Sequence, residues 1–165
     1  MADRDFNDFW GTSTAWVQPP LTDEMLEHAE QVLGVKLPQL LVDLLRVQNG
    51  GLTSEAFDAF PTESPTSWAA DHVPFDYLMG IPGAGTPSGT LLDTPYLLRE
   101  WSISEGFVLL SGDGHYWIAL DYRRCGPAGE PSVWWIDTEV DESLELAPSF
   151  AAFVDGLVSA ERFEE

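Results

Sequence analysis

Five carboxylates, Asp137, Glu139, Asp141, Glu142 and Glu145, fall within nine residues that hold no base. Carboxylates can work as an acid–base pair, but with 28 acids in the chain an apparent glycosidase-type pair arises by chance, and nothing singles one out. The run lies at and beyond the end of an expected strand. It therefore reads either as a solvated acidic loop or as a surface that, with acids from the 52–76 region, presents negative charge to a basic partner. Tryptophan supplies the other binding chemistry. Trp134 and Trp135 are strand neighbours and must point to opposite faces of a sheet. One faces the helices as core. The other, with Trp117, lines the second face. Core packing is the plain expectation, and an aromatic binding surface that draws on Trp117 and Trp135 is the alternative.

Other reactive residues lack the company that chemistry needs. His28, His72 and His115 are scattered, with no His-Glu-x-x-His and no cysteine cluster, so no metal ligands are assigned. The Ser111-Gly112-Asp113-Gly114 turn lacks the alternating carboxylates of a calcium loop. The run from Gly83 to Gly89 has the wrong spacing for a dinucleotide fingerprint, Pro87 blocks the helix that should follow, and no Gly-Lys-Ser/Thr occurs. Gly-x-Ser-x-Gly is absent. Cys125 sits beside Arg123 and Arg124, charges that would lower a thiol pKa, but in a Gly-Pro turn with no adjacent histidine. No catalytic residue and no cofactor are expected.

The elements that would position these residues are legible in two regions. Thr22, as N-cap, with Asp23 and Glu24 in the first turn, starts a helix whose apolar face is Leu26, Ala29, Val32 and Leu33 and whose stop is Gly34. Pro38 suits the first position of a second helix lined by Leu40, Leu41, Leu44, Leu45 and Val47, which Asn49-Gly50-Gly51 ends. Together they form a helical hairpin. Residues 52–105 carry six prolines and predict loops, one strand near Tyr77–Ile81 and a short helix around Pro95–Trp101. The segments Phe107–Ser111, Tyr116–Tyr122 and Ser132–Thr138 are rich in β-branched and aromatic residues and read as strands of an antiparallel meander. Asp113-Gly114 is expected in the tight turn between the first two. Pro148 opens a last helix with Phe150, Phe153, Val154, Leu157 and Val158 on one face. Before residue 20, Phe6, Phe9 and Trp10 have helical spacing, and Trp16 follows, which suggests a short helical lead-in docked on the body. The expected organisation is residues 1–20 as that lead-in and 21–165 as a single α+β domain, its meander packed with the helical hairpin and the C-terminal helix.

Composition narrows the partners. The 165 residues are 44% hydrophobic, with seven Trp, nine Phe and four Tyr, enough to build a core. Against 28 acids stand seven bases, of which Lys36 is the single lysine, for a net charge of −21. The acids are spread evenly over both halves. Such a surface repels phosphate backbones and anionic lipid, which leaves a basic protein as the favoured partner or solubility as the purpose. The one cysteine cannot form an internal disulfide, the opening Met-Ala-Asp-Arg-Asp-Phe has no signal-like apolar run, and no stretch is long and apolar enough to span a membrane. A cytoplasmic location is expected.

Three ordered blocks resemble the SUKH superfamily, in particular its large group related to fungal cell-wall regulators of the Smi/Knr type. The first runs Glu30-Gln31-Val32-Leu33-Gly34-Val35-Lys36-Leu37-Pro38, then Leu44-Leu45 to Asn49-Gly50-Gly51. The second is Gly112-Asp113-Gly114-His115-Tyr116-Trp117-Ile118-Ala119-Leu120-Asp121-Tyr122-Arg123. The third joins Gly129-Glu130-Pro131-Ser132-Val133 with Ala147-Pro148-Ser149-Phe150 and Phe153. The resemblance implies an α+β fold, no enzymatic activity and no catalytic residues. It implies an immunity protein that neutralises a toxin domain, in many such systems a nuclease, whose basic surface would suit this chain's charge. A regulatory adaptor for an endogenous partner is the alternative, and a carboxylate-based hydrolase is the third.

Overall fold

The computed structural model describes residues 8–83 and 90–163. Helix α1, Asp23–Leu33, starts where Thr22 Oγ1 accepts from the Met25 N–H at 3.2 Å and stops where Gly34, at φ 71°, returns its N–H to Glu30. The left-handed conformation that ends it is one glycine adopts without steric cost. Helix α2, Gln39–Val47, begins one residue beyond Pro38, which occupies the cap position. Its buried face is Leu41, Val42, Leu44 and Leu45, so the apolar stripe is rotated from the expected one and Val47 is exposed. Between the helices the Glu30 carboxylate folds back to accept the Leu37 N–H at 2.8 Å, which fixes the angle of the pair.

The proline-rich middle is more ordered than its sequence suggests. Strand β1, Gly51–Leu52, pairs antiparallel with β4, Tyr77–Leu78, and β2, Ala59–Pro61, pairs with β3, His72–Pro74. These are two-stranded ribbons in which Pro61 and Pro74 sit at strand ends, where a missing N–H costs no ladder bond. Phe57, Phe60, Val73, Phe75, Leu78, Met79 and Ile81 from this region are buried. Helix α3, Thr94–Glu100, follows close to where it was expected.

Strands β5 (Phe107–Gly112), β6 (Tyr116–Asp121), β7 (Ser132–Asp137) and β8 (Glu142–Ala147) form one antiparallel sheet in sequence order. The fourth strand is a correction: the acidic stretch is a hairpin rather than a loop, with Asp137 opposite Glu142 and Trp135 opposite Leu144. Its alternation of Glu and Ser with Leu was masked by charge. The β5–β6 turn also differs by one residue. Asp113 N–H donates to the Tyr116 carbonyl at 3.2 Å, so Gly114-His115 are the central pair, and the Asp113 carboxylate accepts from His115 and Tyr116 instead. Helix α4, Phe150–Gly156, is capped by Ser149 and lays Phe153 against Phe60 (4.8 Å between ring centres, stacked) and Phe75 (4.9 Å, edge-on). The result is an α+β chain whose core lies between the sheet, α2, α4 and the two ribbons.

The lead-in is attached but not helical where it docks. Trp10 bridges Thr53 and its indole N–H donates to the Leu44 carbonyl at 3.2 Å, while Phe9 packs on Phe57. Trp16 is exposed. Phe6 lies outside the described residues.

Candidate functional site

The most distinctive sequence blocks build the frame and do not converge on a reaction centre. Asn49 is buried, and its amide donates to Pro19 O and Ile81 O at 2.8 and 2.7 Å while accepting from Ile81 N at 2.8 Å. This one side chain ties α2, the lead-in and the β4 segment together. Asp121, also buried, receives Arg123 through Nε at 2.9 Å and Nη2 at 3.2 Å. The guanidinium lies 4.4 Å from the Phe107 ring centre, a cation–π contact. The Tyr122 hydroxyl donates to Lys36 O at 2.8 Å, and burial pushes its pKa upward.

Asp137, Glu139, Asp141 and Glu142 lie together at one end of the sheet, in two roles, while Glu145 stands further along β8 opposite Trp134. Asp137 is 8% exposed. It accepts the N–H groups of Glu139 and Val140 at 2.9 and 3.3 Å and the Ser67 hydroxyl, so it caps the β7–β8 turn. Its lone pairs are committed, and it is a framework residue. Glu139 and Asp141 project from the turn, with Asp141 at φ 53°, a left-handed position that aspartate tolerates better than most residues. Glu139 meets His115 at 2.7 Å, and Thr138 N–H reaches His115 O at 3.0 Å, so the tips of the two hairpins are clasped. Glu142 accepts the Ser67 N–H at 3.3 Å and is half-buried; Glu145 is exposed on β8.

The two tryptophans of the expected aromatic surface are not on the surface. Trp117 is 5% exposed and Trp135 1%, because Trp117 packs beside Gly112 and Trp135 stacks on Tyr116 at 4.7 Å. Neither can meet a partner in this conformation. Trp134, on the opposite face from Trp135, is half-buried with its indole N–H on Ser132. The exposed indole at the acidic corner is instead Trp68, 51% accessible, 5.6 Å from the Tyr116 ring and next to Ser67. Its backbone is held by a turn in which Thr66 and Ala69 exchange hydrogen bonds. No pattern in the proline-rich segment marks it; a Trp in a Ser/Thr/Pro loop is the one available signal. Val140, also exposed, stands at the hairpin tip.

Other chemistry has little to work with among the described residues. No group of three or more histidine, cysteine or acidic side chains is arranged to hold a metal. A cleft of about 550 Å³ between the end of α1, α3 and the approach to β5 brings Arg99 and Glu105 to walls of Leu33, Leu98 and Phe107, with no histidine or cysteine. Cys125 runs opposite to expectation: partial burial pushes its thiol pKa up, and the Arg123 guanidinium is engaged by Asp121 rather than by sulfur. No described helix is long and apolar enough to cross a membrane. What the corner presents is an acidic surface beside an exposed indole. Residues 20–156 match the family described as SMI1 / KNR4 family (SUKH-1). No curated protein matches the chain.

Proposed function

The chain belongs to the SMI1/KNR4 family (SUKH-1), and from that premise we propose that it is a non-enzymatic immunity protein that neutralises a basic toxin domain by covering its working surface. The observation that carries this is the acidic corner. The exposed Trp68 follows Ser67, which bonds Asp137 and Glu142, and Glu139 and Asp141 project from the adjoining β7–β8 turn. An aromatic anchor inside a charged rim is the usual composition of a strong protein interface. A nuclease is the toxin class whose surface complements it, because a protein that holds nucleic acid must be basic. The net charge of −21 then speeds capture. The protein acts in the cytoplasm, where such a toxin would arrive.

The test is protection. Co-expression with a basic nuclease toxin domain, sought first in the genes flanking this one, should restore growth that the toxin alone abolishes. Toxicity undiminished by equimolar chain, with the chain instead retained on an endogenous host protein, would replace immunity with the adaptor role.

A further inference from the structure

We propose that the partner docks by adding a strand to the open edge of β8. The identity of that partner as a basic toxin rests on the preceding reading; the edge itself does not.

In the four-stranded sheet β5 is flanked by the β4 segment, since Met79 N–H donates to Leu110 O at 2.9 Å. Strand β8 has β7 as its one hydrogen-bonded neighbour among the described residues. Alternate N–H and C=O groups along Glu142–Glu145 therefore aim away from the sheet, which is the template a further strand would use. A bulge at the Val133/Trp134 register bends the strand beyond that point and limits the usable ladder to its first part.

The flanking side chains select the occupant. On one side of β8 a cleft of about 330 Å³ has Phe60, Leu144 and Leu146 in its walls, with Glu63 and Glu145 also lining it. On the other face, shared with Trp134, stand Ser143 and the exposed Glu145, and Ser143 lines a second cleft with Asp141. A strand laid along this edge would place every other residue over the apolar walls and the alternate ones beside carboxylates. The fitting sequence alternates apolar residues with Lys or Arg. A second copy of this chain is the wrong occupant: its own β8 would set Glu142 and Glu145 against their counterparts, and like charges directly opposite destabilise a sheet.

The probe is a capped peptide of alternating lysine and valine, long enough to span β8, added to the isotope-labelled full chain. Amide shifts should centre on Glu142–Ala147, with exchange at the outward amides slowed at least about tenfold, roughly 1.4 kcal/mol of protection. Two forms N-methylated on alternate amides separate the contact modes. One should lose binding, because its edge-facing donors are gone, and the other should keep it. Equal binding by both forms, or shifts spread over α1 and the β2–β3 ribbon, would overturn strand addition in favour of simple charge attraction. A Glu145→Lys variant, changed at an exposed position of the edge strand, should weaken the peptide without changing the fold, and unchanged affinity would count against the proposal. Protection against the toxin is read separately. A peptide seated on β8 in a chain that protects against nothing keeps the edge and removes the toxin, and a protective chain whose β8 ignores the peptide does the reverse.

Discussion

Trp68 stands half out of the surface, its backbone held by the turn between Thr66 and Ala69 and its ring set against Tyr116. A large, exposed aromatic on a backbone already held in a turn is the side chain whose loss partner binding should feel most. Trp68→Ala is expected to weaken toxin binding by about 2 kcal/mol or more, near thirtyfold, while changing stability by no more than about 0.5 kcal/mol. Calorimetric titration beside a thermal melt reads both. Cys125 makes the contrasting case. Burial disfavours its thiolate, and the raised pKa leaves it protonated at neutral pH. Alkylation should be slower than that of free cysteine near pH 7 and climb only as pH passes beyond the ordinary thiol range. A rate above the free-cysteine value at neutral pH would show that the neighbouring arginines govern it after all.

At the scale of elements the hairpin turns decide register and hence which acids reach the surface. Gly114 has φ 104°, and a Cβ there would lie 2.9 Å from the Trp101 ring. Gly114→Val combines a disfavoured backbone with that clash and should cost roughly 2–3 kcal/mol, lowering Tm by about 5–10 °C; an unchanged melt would contradict the turn described. Asn49→Ala leaves the Ile81 and Pro19 groups without their partner and should cost about 2–4 kcal/mol by denaturant titration. Gly114 was legible as a turn glycine to within one residue, whereas Asn49 was legible only as a helix stop, because its partners Pro19 and Ile81 are distant in sequence. The helical hairpin and three strands were equally plain, since caps and β-branched runs are local signals. Strand β8 was not: Glu142-Ser143-Leu144-Glu145-Leu146 alternates correctly, but an edge strand at the surface keeps its charges, and charge imitates a loop. The strands β1 to β4 are too short to carry periodicity, and their segment packs through long-range ring contacts of Phe60 and Phe75 with Phe153 and of Phe75 with Phe9. Trp117 and Trp135 pack in the core as plainly expected, and the alternative of an aromatic binding surface fails for a related reason. Strand alternation assigns a face, but whether that face is covered depends on segments such as Trp101 and the loop around Trp68, whose paths no local pattern gives.

For the whole molecule the charge balance is the property with the longest reach. A field set by 28 acids and seven bases acts over about 8 Å at physiological salt, beyond any single contact, and so governs encounter more than residence. Asp141→Asn, Glu142→Gln and Glu145→Gln together remove charge from the corner without removing shape: asparagine keeps the left-handed position, and glutamine still accepts the Ser67 N–H. The triple variant should melt within a few degrees of the parent. The most direct test of an acidic corner that captures a basic toxin is the stopped-flow association rate with that toxin across ionic strength, for the parent and this variant. The rate for the parent should fall steeply from low to high salt while dissociation changes little, and the variant should start slower and fall less. Parental rates flat across salt, or a variant indistinguishable from its parent, would contradict the account and move the interface away from the β7–β8 corner.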